Sequence, residues 1–102
     1  SAEAKIDRPA LAAIEAAVNC PLVLHGASGI KVEDRQWMAT QTKVCKFNVG
    51  TELRQAFGAA LRDVLASDPY LFDRNQILSA VKPALLRQTR RIIKSFSGQV
   101  QI

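Results

Sequence analysis

The chain has 102 residues, of which 48% are hydrophobic and 23% charged, and its formal net charge at pH 7 is +5. These values fit one globular unit and exclude a disordered protein. No apolar run approaches the roughly 18 residues needed to span a bilayer, and the first residues lack the apolar core of a signal peptide, so we expect a cytoplasmic protein that does not bind membranes.

The first two predicted elements are a helix and a strand. Asp7 can cap a helix that has Pro9 in its first turn and ends near Asn19. Residues 21–25 (PLVLH) then form a short apolar run, followed by the glycine-containing loop of residues 26–29 (GASG). The length of the run favours a strand over a helix, and its apolar character predicts a fully buried strand of a parallel sheet.

A second helix and a second strand follow. Residues 31–42 are polar with a few apolar anchors and predict a modest helix, and residues 44–49 predict the strand. Cys20 and Cys45 lie in or beside the apolar runs and do not form a C-x-x-C pair. They are therefore predicted to be reduced thiols buried in the core, not a disulfide.

Two amphipathic helices close the chain. One begins at Thr51 and ends before Asp68, with apolar residues at three- and four-residue steps. The next has the same periodicity over residues 77–96 and is predicted to be bent or divided near Pro83. Its other face is basic, because no acidic residue follows Asp73 and six basic residues do: Arg74, Lys82, Arg87, Arg90, Arg91 and Lys94.

This order of elements is typical of an α/β fold. Two buried parallel strands cannot satisfy their own edges or cover both faces, which predicts a piece of a larger sheet or barrel. A complete (β/α)₈ barrel runs to about 250 residues, and the 102 residues supply less than half of one. We therefore expect residues 1–102 to be a fragment of a single domain. Met38 is the only methionine, so Ser1 is not expected to be a native translation start.

His25, the sole histidine, ends the first predicted strand. Ligands bind at the carboxyl ends of strands in α/β barrels and open sheets, and a neutral imidazole there is a good ligand for zinc. A metal site needs three or four ligands, however, and no partner with suitable spacing is visible in the sequence. From position and residue type alone, a structural histidine is favoured over a metal ligand.

Both predicted strands end in residues that suit an anion. Gly26 and Gly29 allow the backbone to approach a ligand closely, and the Ser28 hydroxyl can donate to phosphate oxygens. Asn48 and Thr51 occupy the second strand end, where Thr51 is also a candidate N-cap at the positive end of a helix dipole. Turn chemistry explains either loop alone, so phosphate binding and a plain βα connection both stay open.

Two further polar residues have competing interpretations. Lys46 alternates with Cys45 and Phe47, and in a barrel interior a lysine can form a Schiff base with a carbonyl substrate, but a structural or charge-neutralising role is preferred. Arg54 lies one helical turn after Thr51, within reach of a phosphate bound there. A solvated helix arginine is the simpler interpretation.

The strings PLVLHGASGI and KVCKFNVGTELRQAF, in this order and at this spacing, resemble the C-terminal motifs of class II fructose- and tagatose-bisphosphate aldolases. The resemblance covers nearly the whole chain and continues through SDPYLFDRNQILSAVKPALLRQTRRIIKSF, which is similar to the closing helices of that family. It implies the C-terminal part of a (β/α)₈ TIM barrel, about its last two strands plus the closing helices. It also implies a homo-oligomer, a dimer or a tetramer, when the barrel is complete.

The resemblance implies a lyase of carbohydrate metabolism and glycolysis. Such an enzyme reversibly cleaves a ketose 1,6-bisphosphate into dihydroxyacetone phosphate and an aldehyde, through an enediolate that the metal stabilises. His25 matches the last of three histidines that bind this metal. The implied cofactor is Zn²⁺ or another divalent metal, with a monovalent cation as a candidate second ion.

The resemblance also assigns substrate-binding residues. Gly26, Ala27 and Ser28 match a stretch that holds the phosphate of dihydroxyacetone phosphate. A second binding segment is matched by residues 48–51, with the Asn side chain near the enediolate and the Thr near the phosphate: Asn48, Val49, Gly50 and Thr51. Arg54 matches a position that in some members reaches the far phosphate across a subunit interface.

Some positions depart from the family pattern. The first two histidine ligands and the aspartate that acts as general acid/base belong to earlier strands and are not in this chain, so the chain alone is predicted to be inactive. Gly50 stands where many fructose-type enzymes have Asp and tagatose-type enzymes often have Ala, which leaves the substrate epimer open. The helix KVEDRQWMATQTK and the tail SGQVQI are also atypical.

Two alternative functions come from other classes. A non-catalytic member of the family would keep the phosphate loops as a binding or partner module. A nucleic-acid binder would use the basic face of the last helix, but no aromatic residues interleave with its charges. We therefore expect a phosphorylated sugar, and not a nucleic acid, as the partner.

Overall fold

A computed structural model of the chain describes residues 3–97. Its elements are α1 (Arg8–Ala17), β1 (Leu22–Leu24), α2 (Val32–Gln41), β2 (Val44–Phe47), α3 (Thr51–Ser67) and α4 (Arg74–Ser97). The predicted α/β class is confirmed, while the complete barrel and the domain range 1–102 stay predictions. Residues 1–2 and 98–102, which include most of the atypical tail, lie outside the described residues.

The strands β1 and β2 pair in parallel, with α2 as the connection that parallel pairing requires. Leu22 pairs with Val44, and after a register shift Leu24 pairs with Phe47. Backbone bonding continues past the strand ends, since the Asn48 amide donates to the Leu24 carbonyl at 2.9 Å. The carboxyl ends of the two strands therefore lie side by side.

Both strands are shorter and more exposed than the sequence predicts. Pro21 and His25 flank β1 without belonging to it, and Val23 keeps 46% of its surface exposed. Cys20 and Cys45 are exposed free thiols, so the prediction that they are buried is wrong. Side chains alternate between the two faces of a strand, and among the described residues one face of this small sheet has no layer packed over it.

The core lies where the sheet, the loop after β1, and α2 meet. Ala27, Ile30, Met38 and Val44 form its buried cluster, and Phe96 near the end of α4 packs against them. The last turns of α4 therefore help to hold the loop that follows β1.

The helices α3 and α4 pack along each other, and α4 also contacts α2. Asp73 caps α4 by accepting a hydrogen bond from the Gln76 amide at 3.0 Å. The sequence predicts a helix that is bent or divided near Pro83; the helix runs without interruption through Pro83, so a division there is wrong, and a bend stays a prediction. Proline removes the donor for the Ser79 carbonyl, but Ser79 is exposed and water can replace that donor. Within residues 3–97 no helix is long and apolar enough to cross a membrane.

The described chain is elongated. Its Cα radius of gyration is 17.3 Å, with extents of 57 × 28 × 21 Å. A compact domain of this length has a radius of about 13 Å. The longest described element is α4, whose 24 residues span roughly 36 Å.

Candidate functional site

The loops that follow β1 and β2 are joined by backbone hydrogen bonds. The Asn48 amide bonds to Leu24, and the Asn48 carbonyl accepts from the Ala27 amide at 3.1 Å. These bonds extend the parallel pairing past both strand ends, to Asn48 directly after β2 and to Ala27 three residues after β1. They bring the two sequence motifs together at one edge of the sheet, as expected for parallel strands.

His25 comes directly after β1 and lies beside Asn48. The Asn48 Nδ2 atom is 2.9 Å from His25 Nδ1. An amide nitrogen only donates, so in this arrangement Nδ1 accepts and a neutral ring carries its proton on Nε2. Rotation of the Asn48 amide by half a turn would place Oδ1 against Nδ1–H and leave Nε2 free for a metal. Asn48 is thus placed to determine which ring nitrogen is available.

A metal would find one suitable ligand in this part of the chain. An exposed imidazole at a strand end fits zinc chemistry, and His25 is such a group. Across residues 3–97, no group of three or more His, Cys, Asp or Glu side chains is arranged to hold a metal ion. The described residues therefore fit the predicted zinc only as a partial ligand set.

The loop after β1 depends on two glycines with positive φ. Gly26 has φ 67° and Gly29 has φ 86°, in the left-handed region that side chains disfavour. Ala27 between them is completely buried and uses its amide in the bond to Asn48. Ala27 therefore anchors the loop in the core, and its neighbour Ser28 points its hydroxyl toward α3.

The amino terminus of α3 meets this loop. Gly50 occupies the N-cap position and Thr51 is the first helical residue, so the prediction that Thr51 is the cap is wrong. Gly50 has no side chain with which to cap, and the Glu52 amide instead donates to Ser28 Oγ at 3.3 Å. The first motif thus supplies a hydrogen-bond acceptor for the helix that begins in the second motif.

Arg54 lies close to Gly50. A Cβ added to Gly50 would sit 2.9 Å from Arg54 Nη1, and Arg54 Nη2 donates to Thr51 Oγ1 at 3.2 Å. Glycine therefore leaves the space that the guanidinium occupies. A positive charge is held beside the free amides at the start of α3.

An open cleft of about 490 Å³ lies between these segments. The sequence predicts seven of its lining residues as binding residues and misses Phe47, whose place at the end of β2 is the only signal for it. The lining consists of Gly26, Ser28, Phe47, Asn48, Val49, Gly50, Thr51 and Arg54. His25 and Ala27 are predicted site residues that do not line it.

The cleft has the chemistry of an oxyanion site. It combines one guanidinium, two hydroxyls and the amino terminus of a helix, and none of its lining residues is acidic. A second groove of about 580 Å³ between α2, β2 and the end of α4 is mainly apolar and has no charged lining residue. Of these two spaces, only the cleft suits a phosphate.

Comparison with protein-family models gives a match over nearly the whole chain. The model described as fructose-bisphosphate aldolase class-II matches residues 1–100. The matched range includes both strands, both loops and every residue that lines the cleft. It is also the family that the two sequence motifs resemble.

Proposed function

The chain belongs to the class-II fructose-bisphosphate aldolase family, and from this we propose that it is the C-terminal part of a ketose-bisphosphate aldolase. In the complete (β/α)₈ barrel, the enzyme would reversibly cleave a ketose 1,6-bisphosphate to dihydroxyacetone phosphate and an aldehyde. The observation that carries this proposal is the convergence of Ser28, Thr51 and Arg54 on one cleft at the ends of β1 and β2.

A phosphate group is the ligand that the cleft supports best. The Ser28 and Thr51 hydroxyls can donate to phosphate oxygens, and the free amides at the start of α3 add the positive end of the helix dipole. Arg54 supplies a full positive charge with a planar set of donors that matches phosphate. We assign this cleft to the phosphate of dihydroxyacetone phosphate.

His25 and Asn48 form the reacting side of the proposed site. His25 would be one ligand of a divalent metal, which when bound supplies a Lewis acid for the substrate carbonyl. With its amide rotated by half a turn, Asn48 would accept from His25 Nδ1–H through Oδ1 and so leave Nε2 free for the metal. The same amide lines the cleft and can contact the substrate's oxygen atoms.

The remaining chemistry would come from earlier strands of the barrel. Two further histidine ligands and an aspartate that moves the proton are needed, and His25 is the sole histidine of the chain. The isolated chain therefore binds phosphate in this proposal but does not cleave substrate. The complete protein is proposed to be a cytoplasmic homo-oligomer whose partner is a phosphorylated sugar.

The experiment compares the complete barrel with a His25→Ala variant. The complete barrel should bind about one zinc ion per chain and cleave fructose or tagatose 1,6-bisphosphate, and the variant should lose both properties. Elemental analysis gives the metal content, and a coupled assay for dihydroxyacetone phosphate gives the rate. Unchanged zinc content in the variant would contradict the ligand assignment. Substrate binding without turnover by the complete barrel would favour the non-catalytic alternative.

Lys46→Ala is the matched control. Lys46 lies on β2 close to the site, is exposed, and does not line the cleft. The variant should keep its zinc and its activity, and borohydride should trap no covalent adduct with substrate. Loss of activity together with trapping in the unsubstituted protein would instead support a Schiff-base mechanism.

A further inference from the structure

Arg35 on α2 is a buried guanidinium that ties three separate segments together. The residue is 5% exposed. Its Nε donates to the Ile30 carbonyl at 2.9 Å, its Nη1 donates to Ser95 Oγ at 2.9 Å, and its Nη2 pairs with Glu52 Oε1. The guanidinium also lies 5.2 Å from the centre of the Phe96 ring.

Two of these contacts, those with Ile30 and Glu52, hold the segments that form the cleft. Ile30 directly follows the glycine-containing loop that carries Ser28, and Glu52 lies in the first turn of α3. The Glu52 amide is the group that donates to Ser28 Oγ. Arg35 therefore bonds to both sides of the junction at which the loop meets the helix.

The third contact extends this arrangement to the far end of the chain. Ser95 lies in the last turn of α4, sixty residues from Arg35, and its hydroxyl donates in turn to the Ile92 carbonyl at 2.6 Å. The end of α4 is thereby fixed against α2 and the loop. None of these groups lines the cleft, so none of them contacts a ligand bound there.

We propose that Arg35 is a positioning residue that, through Glu52 and Ile30, holds Ser28 at the amino terminus of α3 and so sets the phosphate affinity of the cleft. The inference rests on the proposed function, because it assumes that phosphate binds there. Guanidinium has several donors in one rigid plane, so three acceptors bound to it have fixed positions relative to one another.

If Arg35 served only to stabilise the fold, an arginine would not be required at this position. Buried ion pairs are often replaceable by apolar side chains without loss of stability, so burial by itself does not explain a charge here. What an apolar side chain cannot reproduce is the alignment of a carbonyl, a carboxylate and a hydroxyl from three segments. Alignment of this kind affects binding because groups that hold a ligand work only when supporting hydrogen bonds keep them in the right geometry.

The same helix offers a matched control pair. Asp34, the neighbour of Arg35, accepts from Arg8 at 3.0 Å, and the side chains are 20% and 46% exposed. This second pair joins α1 to α2 and touches neither loop of the cleft. Asp34→Asn and Glu52→Gln therefore make the same chemical change to a carboxylate that binds an arginine, at two places with different consequences for the site.

The test measures phosphate affinity and one backbone amide in the complete barrel that contains this chain. Inorganic phosphate is titrated while amide resonances are recorded by NMR, and hydrogen exchange is followed at the Glu52 amide. The Gln76 amide, in the corresponding turn of α4, reports general loosening of the chain. The variants are Glu52→Gln, Arg35→Lys, Ser95→Ala and the control Asp34→Asn.

The proposal expects a specific pattern across these variants. Arg35→Lys and Glu52→Gln should weaken phosphate binding on the order of ten-fold and speed exchange at the Glu52 amide, with no change at the Gln76 amide. Lysine should fail to rescue, since one ammonium cannot satisfy three acceptors in a plane. Ser95→Ala should give a smaller loss, and Asp34→Asn should bind phosphate like the unsubstituted barrel.

Other outcomes separate the two proposals. If the unsubstituted barrel binds phosphate and the Arg35 and Glu52 variants bind it equally well, the positioning role is overturned. It is also overturned if Asp34→Asn weakens binding as much as Glu52→Gln. If the unsubstituted barrel shows no phosphate binding, while the Glu52 amide still loses protection in the variants, the phosphate assignment fails and the structural link from Arg35 to α3 stands.

Discussion

The region around the cleft and the α3–α4 helix pair are held together by different kinds of contact. Around the cleft, side-chain hydrogen bonds join residues far apart in sequence, such as Arg35 with Ser95 and Asn48 with His25. Farther along the helices, away from the cleft, side-chain bonds such as the one from the Thr89 hydroxyl to the Leu85 carbonyl stay within one helical turn. Apolar packing positions the helices, whereas specific polar contacts position the site.

This difference predicts how each region responds to substitution. Apolar side chains on the packed face of a helix can be exchanged for others of similar size, because no single bond determines where the helix lies. A loop fixed by a few directed bonds shifts when any one of them is lost. Substitutions of equal size should therefore affect ligand binding near the cleft and only stability in the helix pair.

The largest effect is expected from truncating a buried core side chain in each region. Met38 is fully buried beneath the cleft, and Val81 is 1% exposed within α4. Met38→Ala should lower the free energy of unfolding by about 3 kcal/mol and Val81→Ala by about 2 kcal/mol, from the buried groups removed and the cavities left. Urea unfolding measures both values.

Phosphate affinity then distinguishes the regions. Among folded molecules, Met38→Ala should also weaken phosphate binding, because Met38 packs with Ala27 and Ile30 of the loop after β1. Val81→Ala should leave affinity unchanged. Equal losses of affinity in the two variants would show that the site depends on overall stability and not on local contacts.

A smaller effect, with opposite signs in the two regions, is expected at two glycines. Gly26 has positive φ and no atom near the place that a methyl group would occupy, so Gly26→Ala should cost about 1.5 kcal/mol through backbone strain alone. Gly58 lies inside α3, where an added Cβ would meet only Arg62 Nη1 at 3.5 Å. Gly58→Ala should therefore stabilise the chain by about 0.7 kcal/mol. Thermal unfolding gives both signs, and destabilisation by both would contradict the contrast.

The sequence predicts the helix pair better than the site. The spacing of apolar residues after Thr51 and over residues 77–96 corresponds closely to α3 and α4, since one helical face packs on its partner whatever lies elsewhere. The strands are predicted to be buried because a continuous apolar run is typical of a covered sheet, yet Val23 is exposed. Whether a strand is exposed depends on which elements cover each face of the sheet, and the apolar run in the sequence does not contain that information.

Most residues that line the cleft can be predicted from the two motifs, but the residues that hold them in place cannot. Residues that come directly after a strand can be assigned to the same edge of a parallel sheet from the sequence alone, which is how Ser28, Asn48 and Thr51 are predicted together. In the sequence, nothing distinguishes Arg35 from the other polar residues of a weakly amphipathic helix. Its contacts with Glu52 and Ser95 depend on how α2, α3 and α4 pack, and no local pattern signals them.

Of these substitutions, Gly50→Ala should change the stability of the chain least, and it should still weaken phosphate binding. Alanine is a poorer N-cap than glycine, so the free energy of unfolding should fall by only about 0.5 kcal/mol. The added methyl would collide with Arg54 Nη1, which belongs to the far end of a flexible side chain and can move away. Arg54 should then leave its position beside Thr51, and phosphate affinity should fall several-fold.

A double-substitution cycle tests whether Arg54 causes that loss. Arg54→Ala alone should weaken phosphate binding on the order of ten-fold, because a full charge beside the oxyanion is removed. In the Arg54→Ala background, Gly50→Ala should then have no further effect, since no guanidinium remains to be displaced. An equal loss in both backgrounds would show that the methyl acts on the backbone at the start of α3. In that case the space at Gly50 would serve the helix terminus and not the arginine.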